Sequence, residues 1–168
     1  MPTPTQRFEI RPISAADAAP LCAIIRQVGR EFGAIGEGFG PSDPEVEALH
    51  RYYGQDGRSQ YWVALLDGHL VGGGGIAPLD AAGKTCELKK LFLLPQARGL
   101  GIGRQLCQEG LAFAQAVGYR QCYLDTLRSM TAAIALYQQL GFQHLDAPLD
   151  TSIHGGCDVW MLKTFNCC

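Results

Sequence analysis

The sequence predicts a mixed α/β fold, and three features carry that prediction. An Asp67–Gly68 dipeptide lies between two apolar runs, the signature of a β-hairpin. From Leu88 to Gly103 an apolar strand passes Pro95 and enters a glycine-rich turn that opens a helix. Helical and strand-like periodicities then alternate toward the C-terminus. The 168 residues are read as a single domain, 1–168, long enough to bury a core without a disulfide or metal staple.

Residues 7–11 alternate, with Phe8 and Ile10 inward, and predict the first strand. Ser14 precedes Asp17 by three residues, a capping-box spacing with Asp in place of Glu or Gln. A helix is therefore expected over 15–28, with Ala18, Leu21, Cys22 and Ile25 on one face. Gly29, Gly33, Gly36, Gly38 and Gly40 predict a mobile loop over 29–40, either a ligand contact or a plain connection. Asp43 and Pro44 cap a short second helix with Val46, Leu49 and Tyr53 inward. Residues 59–66 and 69–77 are the hairpin strands. Gly72 to Gly75 within the second weaken it and predict a bulge or a close approach by another group. A strand over 86–94 stops at Pro95, and a helix over 101–117 closes at Gly118. A strand over 119–126, a helix over 130–140 closed by Gly141, and strands over 142–145 and 159–162 complete the chain.

Composition excludes several function classes. Hydrophobic residues make up 47% and charged residues 18%, too apolar for a disordered chain. Fourteen Lys and Arg against sixteen Asp and Glu leave a net charge of -2, without the basic excess of a general nucleic-acid binder. The longest apolar stretch, 61–66, is too short for a bilayer, and Met-Pro-Thr-Pro-Thr-Gln-Arg at the N-terminus has no apolar signal region. The expectation is a cytoplasmic protein, monomer or homodimer, with neither nucleic acid nor membrane as partner. Seven cysteines without a C-x-x-C pair or zinc-ligand spacing read as free thiols and no metal site, with the Cys167–Cys168 pair exposed. His50, His69, His144 and His154 do not cluster and are read as structural, although His154 precedes Gly155–Gly156 and could line an acceptor site.

The chemistry concentrates in Arg98-Gly99-Leu100-Gly101-Ile102-Gly103. The first turn of a helix leaves backbone N–H groups without partners and carries partial positive charge. Glycines let a phosphate approach those groups, and Arg98 adds a cation. The residues alone leave two readings, a pyrophosphate site and an ordinary tight turn. A dinucleotide G-x-G-x-x-G fails, since Arg104 and Leu106 occupy the last position in the two registers. A P-loop ending in Gly83-Lys84-Thr85 fails because Pro78 stands where its first glycine belongs.

Arg98-Gly-Leu-Gly101-Ile-Gly103 resembles the (Gln/Arg)-x-x-Gly-x-(Gly/Ala) motif of the GNAT superfamily of acetyl-CoA-dependent N-acetyltransferases. Glu87-Leu-Lys-Lys-Leu-Phe before it is similar to the preceding strand of many members. So are Gly118-Tyr119, Leu124-Asp125-Thr126 and the run from Ala133 through Tyr137 to Gly141-Phe142 after it. The likeness covers 86–142. It implies a GNAT-type mixed, largely antiparallel sheet flanked by helices and splayed to bind acetyl-CoA. The pyrophosphate would take N–H groups from Gly99, Leu100, Gly101, Ile102, Gly103 and Arg104. The pantetheine would pair with Phe92, Leu93 and Leu94 like an added strand.

The resemblance implies acetyl transfer to an amine in a ternary complex, without an acyl-enzyme. Glu87 is the candidate base; its other reading is a strand-end glutamate paired with Lys89 or Lys84. Tyr137 is the candidate acid for the departing thiolate; its other reading is a core aromatic on a Met130, Ala133, Ile134, Tyr137 stripe. Many members carry Asn where this chain has Met130, so a pantetheine contact there would fall to Ser129 or Thr131, or be missing. The acceptor is expected to be a small-molecule amine. A peptide N-terminus, and a non-catalytic acyl-CoA-binding module, are the alternatives. Glu31, Glu37, Asp43 and Glu45 near the glycine loop point toward a cationic acceptor.

Overall fold

The computed structural model describes residues 7–34, 36–149 and 155–166. His154 and the Cys167–Cys168 pair lie outside the described residues. The chain runs β1 (Phe8–Pro12), α1 (Ala18–Glu31), a 3-10 segment (Pro44–Arg51), β2 (Gln60–Leu66), β3 (His69–Pro78) and β4 (Thr85–Leu93). It continues through α2 (Ile102–Val117), β5 (Gln121–Thr126), α3 (Thr131–Gln139), β6 (Gln143–Leu145) and β7 (Val159–Thr164). All seven strands join in one sheet, ordered β1-β2-β3-β4-β5-β7-β6. Every neighbouring pair is antiparallel except β4 with β5.

Alternation along β2 sorts the core into two layers. Trp62, Ala64 and Leu66 pack with Ile102, Leu106, Cys107 and Leu111 of α2. Tyr61 and Val63 pack with Leu21, Ile25 and Val28 of α1 and with Val46 and Leu49 of the 3-10 segment. The hairpin turns through Asp67 at φ 50° and Gly68 at φ 83°, the positive pair that Asp-Gly supplies most readily. Cys22, Cys86, Cys107 and Cys122 are buried free thiols.

The four-glycine run in β3 has a steric cause. A Cβ on Gly73 or Gly75 would come within 2.6 Å of the Tyr61 ring. On Gly74 it would meet Leu91 Cδ1 at 2.8 Å, and on Gly72 the Phe92 carbonyl oxygen at 2.1 Å. The bulge expected from the glycines is also present. Gly73 pairs with Phe92 and Gly75 with Lys89, so Lys90 and Leu91 both face Gly74.

Three expectations change. Phe8, expected inward, is 40% exposed. Gly29 was assigned to the loop, yet it lies inside α1. A Cβ there would sit 2.7 Å from Pro41 Cγ, so this glycine lets the returning loop pack on the helix. The first turn over Ala15–Asp17 and the segment after Asp43 are 3-10 rather than α.

At the start of this helix the Ser14 amide donates to the Asp17 carboxylate at 2.8 Å, and Arg11 grips both its oxygens at 2.7 and 2.9 Å. The Arg11 bonds, outweighing the opposing effect of burial, hold the Asp17 carboxyl down at about 2, below its ordinary 3.8. A depressed folded pKa stabilises above the ordinary value and loses that contribution as pH falls toward 2. Asp17→Asn is expected to cost about 1–2 kcal/mol at neutral pH, after allowance for the partly exposed Arg11. It should also flatten the loss of stability between roughly pH 5 and 2. Urea unfolding across that range checks both effects.

Candidate active site

The site begins where the sheet opens. β4 and β5 pair only through Thr85, Cys86 and Glu87 with Gln121, Cys122 and Tyr123. Past Glu87 the strands part, and the facing edge of β4 has no strand beside it. Such an edge offers N–H and C=O groups to an extended ligand. The β4 bulge falls in this stretch, with Lys90 left-handed at φ 53°. Two contacts hold that strained residue. The Tyr61 hydroxyl donates to its carbonyl at 2.7 Å, and its ammonium meets Asp43 at 2.7 Å and Glu45 at 3.2 Å.

A cleft of about 460 Å³ occupies the outer part of the opening. β4 supplies Leu91, Phe92 and Leu93; the turn and α2 supply Arg98, Gly99, Gly101, Gly103 and Arg104; the α3 wall supplies Met130 through Ala133 and Leu136. Gly99 and Gly101 adopt φ 76° and 85°, and a Cβ on either would meet no atom within 4 Å. No side chain caps the N-terminus of α2. Its first N–H groups therefore face an open cradle that fits an anion. Ile102 is fully buried in the core, so only its backbone is available, and Leu100 is exposed.

Three candidates stand differently from the sequence reading. The Arg98 guanidinium turns back onto the fold, donating to the Leu93 carbonyl at 2.9 and 3.2 Å and pairing with Glu31 at 2.6 Å. It stacks over Phe32 and braces the turn. Leu94 is excluded from pairing with a ligand strand, because its N–H donates to Val71 and its carbonyl accepts from Ala97. Arg104 donates to Gln139, on the rim between α2 and α3.

An inner cavity of about 60 Å³ adjoins the cleft and shares Leu91, Phe92 and Met130 with it. Glu87 and Tyr137 both line this cavity, from different elements. Glu87 is buried, 6% exposed, so its carboxylate is withdrawn from bulk solvent. Lys89, one of the two partners named in the alternative reading, pairs with Glu45 at 3.3 Å. Tyr137 reaches the cavity from α3, resting edge-on against Phe142 with ring centres 5.9 Å apart. Burial pushes its phenol pKa well upward, so it stays protonated at any working pH. Phe39, Gly40 and Pro41 from the glycine loop form another wall.

The Acetyltransferase (GNAT) family model matches residues 29–142 of this chain. The chain belongs to the GNAT acetyltransferase family. The uncharacterized N-acetyltransferase YjgM of Escherichia coli K12 is 38% identical over 156 residues, covering 92% of this chain and 93% of that one. Human N-acetylaspartate synthetase is 35% identical over 105 residues, which span 61% of this chain and 34% of that protein. The structure of yncA from Salmonella typhimurium, solved with its cofactor acetyl-CoA, superposes with a TM-score of 0.75 at 20% identity, covering 95% and 94% of the two chains. The splayed sheet expected of a GNAT fold is thus present.

Several residues of this GNAT site escaped the sequence reading. Asp125 and Cys157 line the inner cavity, with the Cys157 thiol 3.6 Å from the Asp125 carboxylate. Burial, then the charges of Asp125, Asp158 and Glu87, push that thiol up to about 12, so it remains a neutral donor. Nothing in the sequence spacing brings Cys157 beside β5; the pairing of β5 with β7 does. Three of the four carboxylates that point toward a cationic acceptor are engaged within the fold, Asp43 and Glu45 on the β4 lysines and Glu31 on Arg98. Ser129, a suggested substitute for the missing Asn, donates to the Phe32 carbonyl at 3.1 Å, while Thr131 lines the cleft. Among the described residues no helix is long and apolar enough to cross a membrane.

Proposed function

We propose that this GNAT protein moves the acetyl group of acetyl-CoA onto a primary amine of a small molecule, with Glu87 as general base and Tyr137 as general acid. One observation carries the reading. The cleft at the uncapped N-terminus of α2 adjoins, across Leu91, Phe92 and Met130, a cavity lined by both Glu87 and Tyr137. Acetyl-CoA supplies a thioester carbonyl to that cavity. The α2 N–H groups from Gly101 to Arg104 bind its pyrophosphate, and the β4 edge at Leu91, with the Leu93 N–H, orients its pantetheine.

Glu87 takes a proton from the entering ammonium, directly or through water. The freed nitrogen lone pair forms a C–N bond to the carbonyl carbon, the C–S bond breaks, and the electron pair leaves on sulfur. Tyr137 donates its hydroxyl proton to that thiolate and is reprotonated from solvent as the acetylated nitrogen sheds its second proton. The test is an acetyl-CoA-dependent screen of amines read by thiol release. A relative named for N-acetylaspartate directs the first panel to α-amino acids, beside diamines and peptide N-termini. Thiol release with no amine above background would leave an acyl-CoA-binding module.

Tyr137→Phe removes one hydroxyl and little volume. Turnover is expected to fall about tenfold, with acetyl-CoA affinity unchanged. Steady-state rates beside direct binding of acetyl-CoA check this; equal turnover would assign Tyr137 to packing.

A further inference from the structure

We infer that Met130 limits the length of the acyl chain this protein accepts from its thioester donor. The inference rests on the proposed path of acetyl-CoA, pyrophosphate at α2 and thioester toward Glu87. On that path the acyl group crosses from the 460 Å³ cleft into the 60 Å³ cavity. Three residues line both spaces and form the neck between them: Leu91, Phe92 and Met130. Leu91 and Phe92 belong to β4. Met130 alone of the three comes from the opposite wall, at the N-cap of α3.

The Met130 side chain is held in that position. Its thioether sulfur accepts from the Thr126 hydroxyl at 3.4 Å, and Thr126 is itself buried. Met130 also packs against the core layer that contains Val28 and Phe92. A buried thioether contact of this kind is favourable but adaptable, since Met is unbranched.

Beyond the neck the space is small. It offers about 60 Å³ against the 460 Å³ of the cleft, so carbons added beyond acetyl have little room unless Met130 withdraws.

The experiment measures calorimetric affinities of free CoA, acetyl-CoA, propionyl-CoA and butyryl-CoA for the wild type, Met130→Ala and Met130→Phe. No acceptor is needed. Each buried methylene is worth about fourfold in affinity. Met130→Ala should therefore raise the butyryl-to-acetyl affinity ratio about tenfold, whereas Met130→Phe should lower the propionyl-to-acetyl ratio. Free CoA measured on each protein supplies the reference against which its acyl ratios are read. The two variants act in opposite directions, so loss of folding in one leaves the other decisive. Unchanged ratios in a variant that still binds free CoA overturn the inference and spare the cofactor reading. No binding of free CoA to the wild type overturns both.

Discussion

Glu87→Gln should lower turnover near neutral pH by ~10²-fold or more, with acetyl-CoA saturating and a good acceptor present. The substitution keeps the shape and hydrogen-bonding capacity of the side chain but cannot accept the ammonium proton. Glu87 sits at the last paired rung of β4 and β5, where the sheet opens, and is buried in the wall of the inner cavity. An amine entering that cavity leaves bulk solvent behind, so its proton must go to a group already there. An aliphatic amine is almost wholly protonated at pH 7, because its pKa lies near 10. As pH rises, bulk water removes that proton before binding, and the deficit of the variant should shrink. A loss that stays constant from pH 7 to 10 would mean that Glu87 positions the acceptor without taking its proton. Turnover equal to the wild type at every pH would remove it from the mechanism.

Gly101→Val should abolish stabilisation by CoA. At about a hundred times its dissociation constant, a ligand of the native fold contributes ~2.7 kcal/mol, roughly 5–10 °C in Tm for a chain of this size. Gly101 is the N-cap of α2 at φ 85°, and the position of its absent Cβ faces open space. Valine there brings two faults. Its branched Cβ is strained in the left-handed region, and its methyl groups fill the volume that a phosphate needs to reach the α2 N–H groups. Gly118→Val separates the two. Gly118 closes α2 at φ 105°, also with no atom near its Cβ position, but at the other end of the helix. It should lose stability from the same backbone strain and keep its full response to CoA. An equal Tm shift with NAD in the wild type, or a surviving CoA shift in Gly101→Val, would overturn the pyrophosphate assignment.

Local physics was readable from the chain itself. Asp67–Gly68 specifies positive φ at two consecutive residues, so the hairpin needs no distant partner to be recognised. The turn at Gly99 and Gly101 follows from where glycine tolerates φ that other residues resist. The N–H groups at the start of α2 follow from helix geometry. Ser14 and Asp17 are three residues apart, within reach of one helical turn. The resemblance over 86–142 added the splayed sheet, the candidate base and the candidate acid.

What only the tertiary structure decided is where charges and edges go once distant segments meet. Arg98 reads as a phosphate cation, but the Leu93 carbonyl and the Glu31 carboxylate take its donors. Lys90 lies within an apolar strand whose sequence does not say where its charge goes. The bulge opposite Gly74 turns it inward, and Asp43, 47 positions earlier, neutralises it at 2.7 Å. Gly29 reads as a helix breaker, until Pro41 needs the room that its missing side chain leaves. Glu87 and Tyr137 are 50 residues apart on different elements, and no periodicity links them. They share one cavity because β4 and β5 stop pairing just past Glu87 and α3 packs over the gap. Backbone preference acts over a few residues and is written in their order, whereas pairing of buried charges and ends of sheet ladders depends on which surfaces are brought together by burying the core.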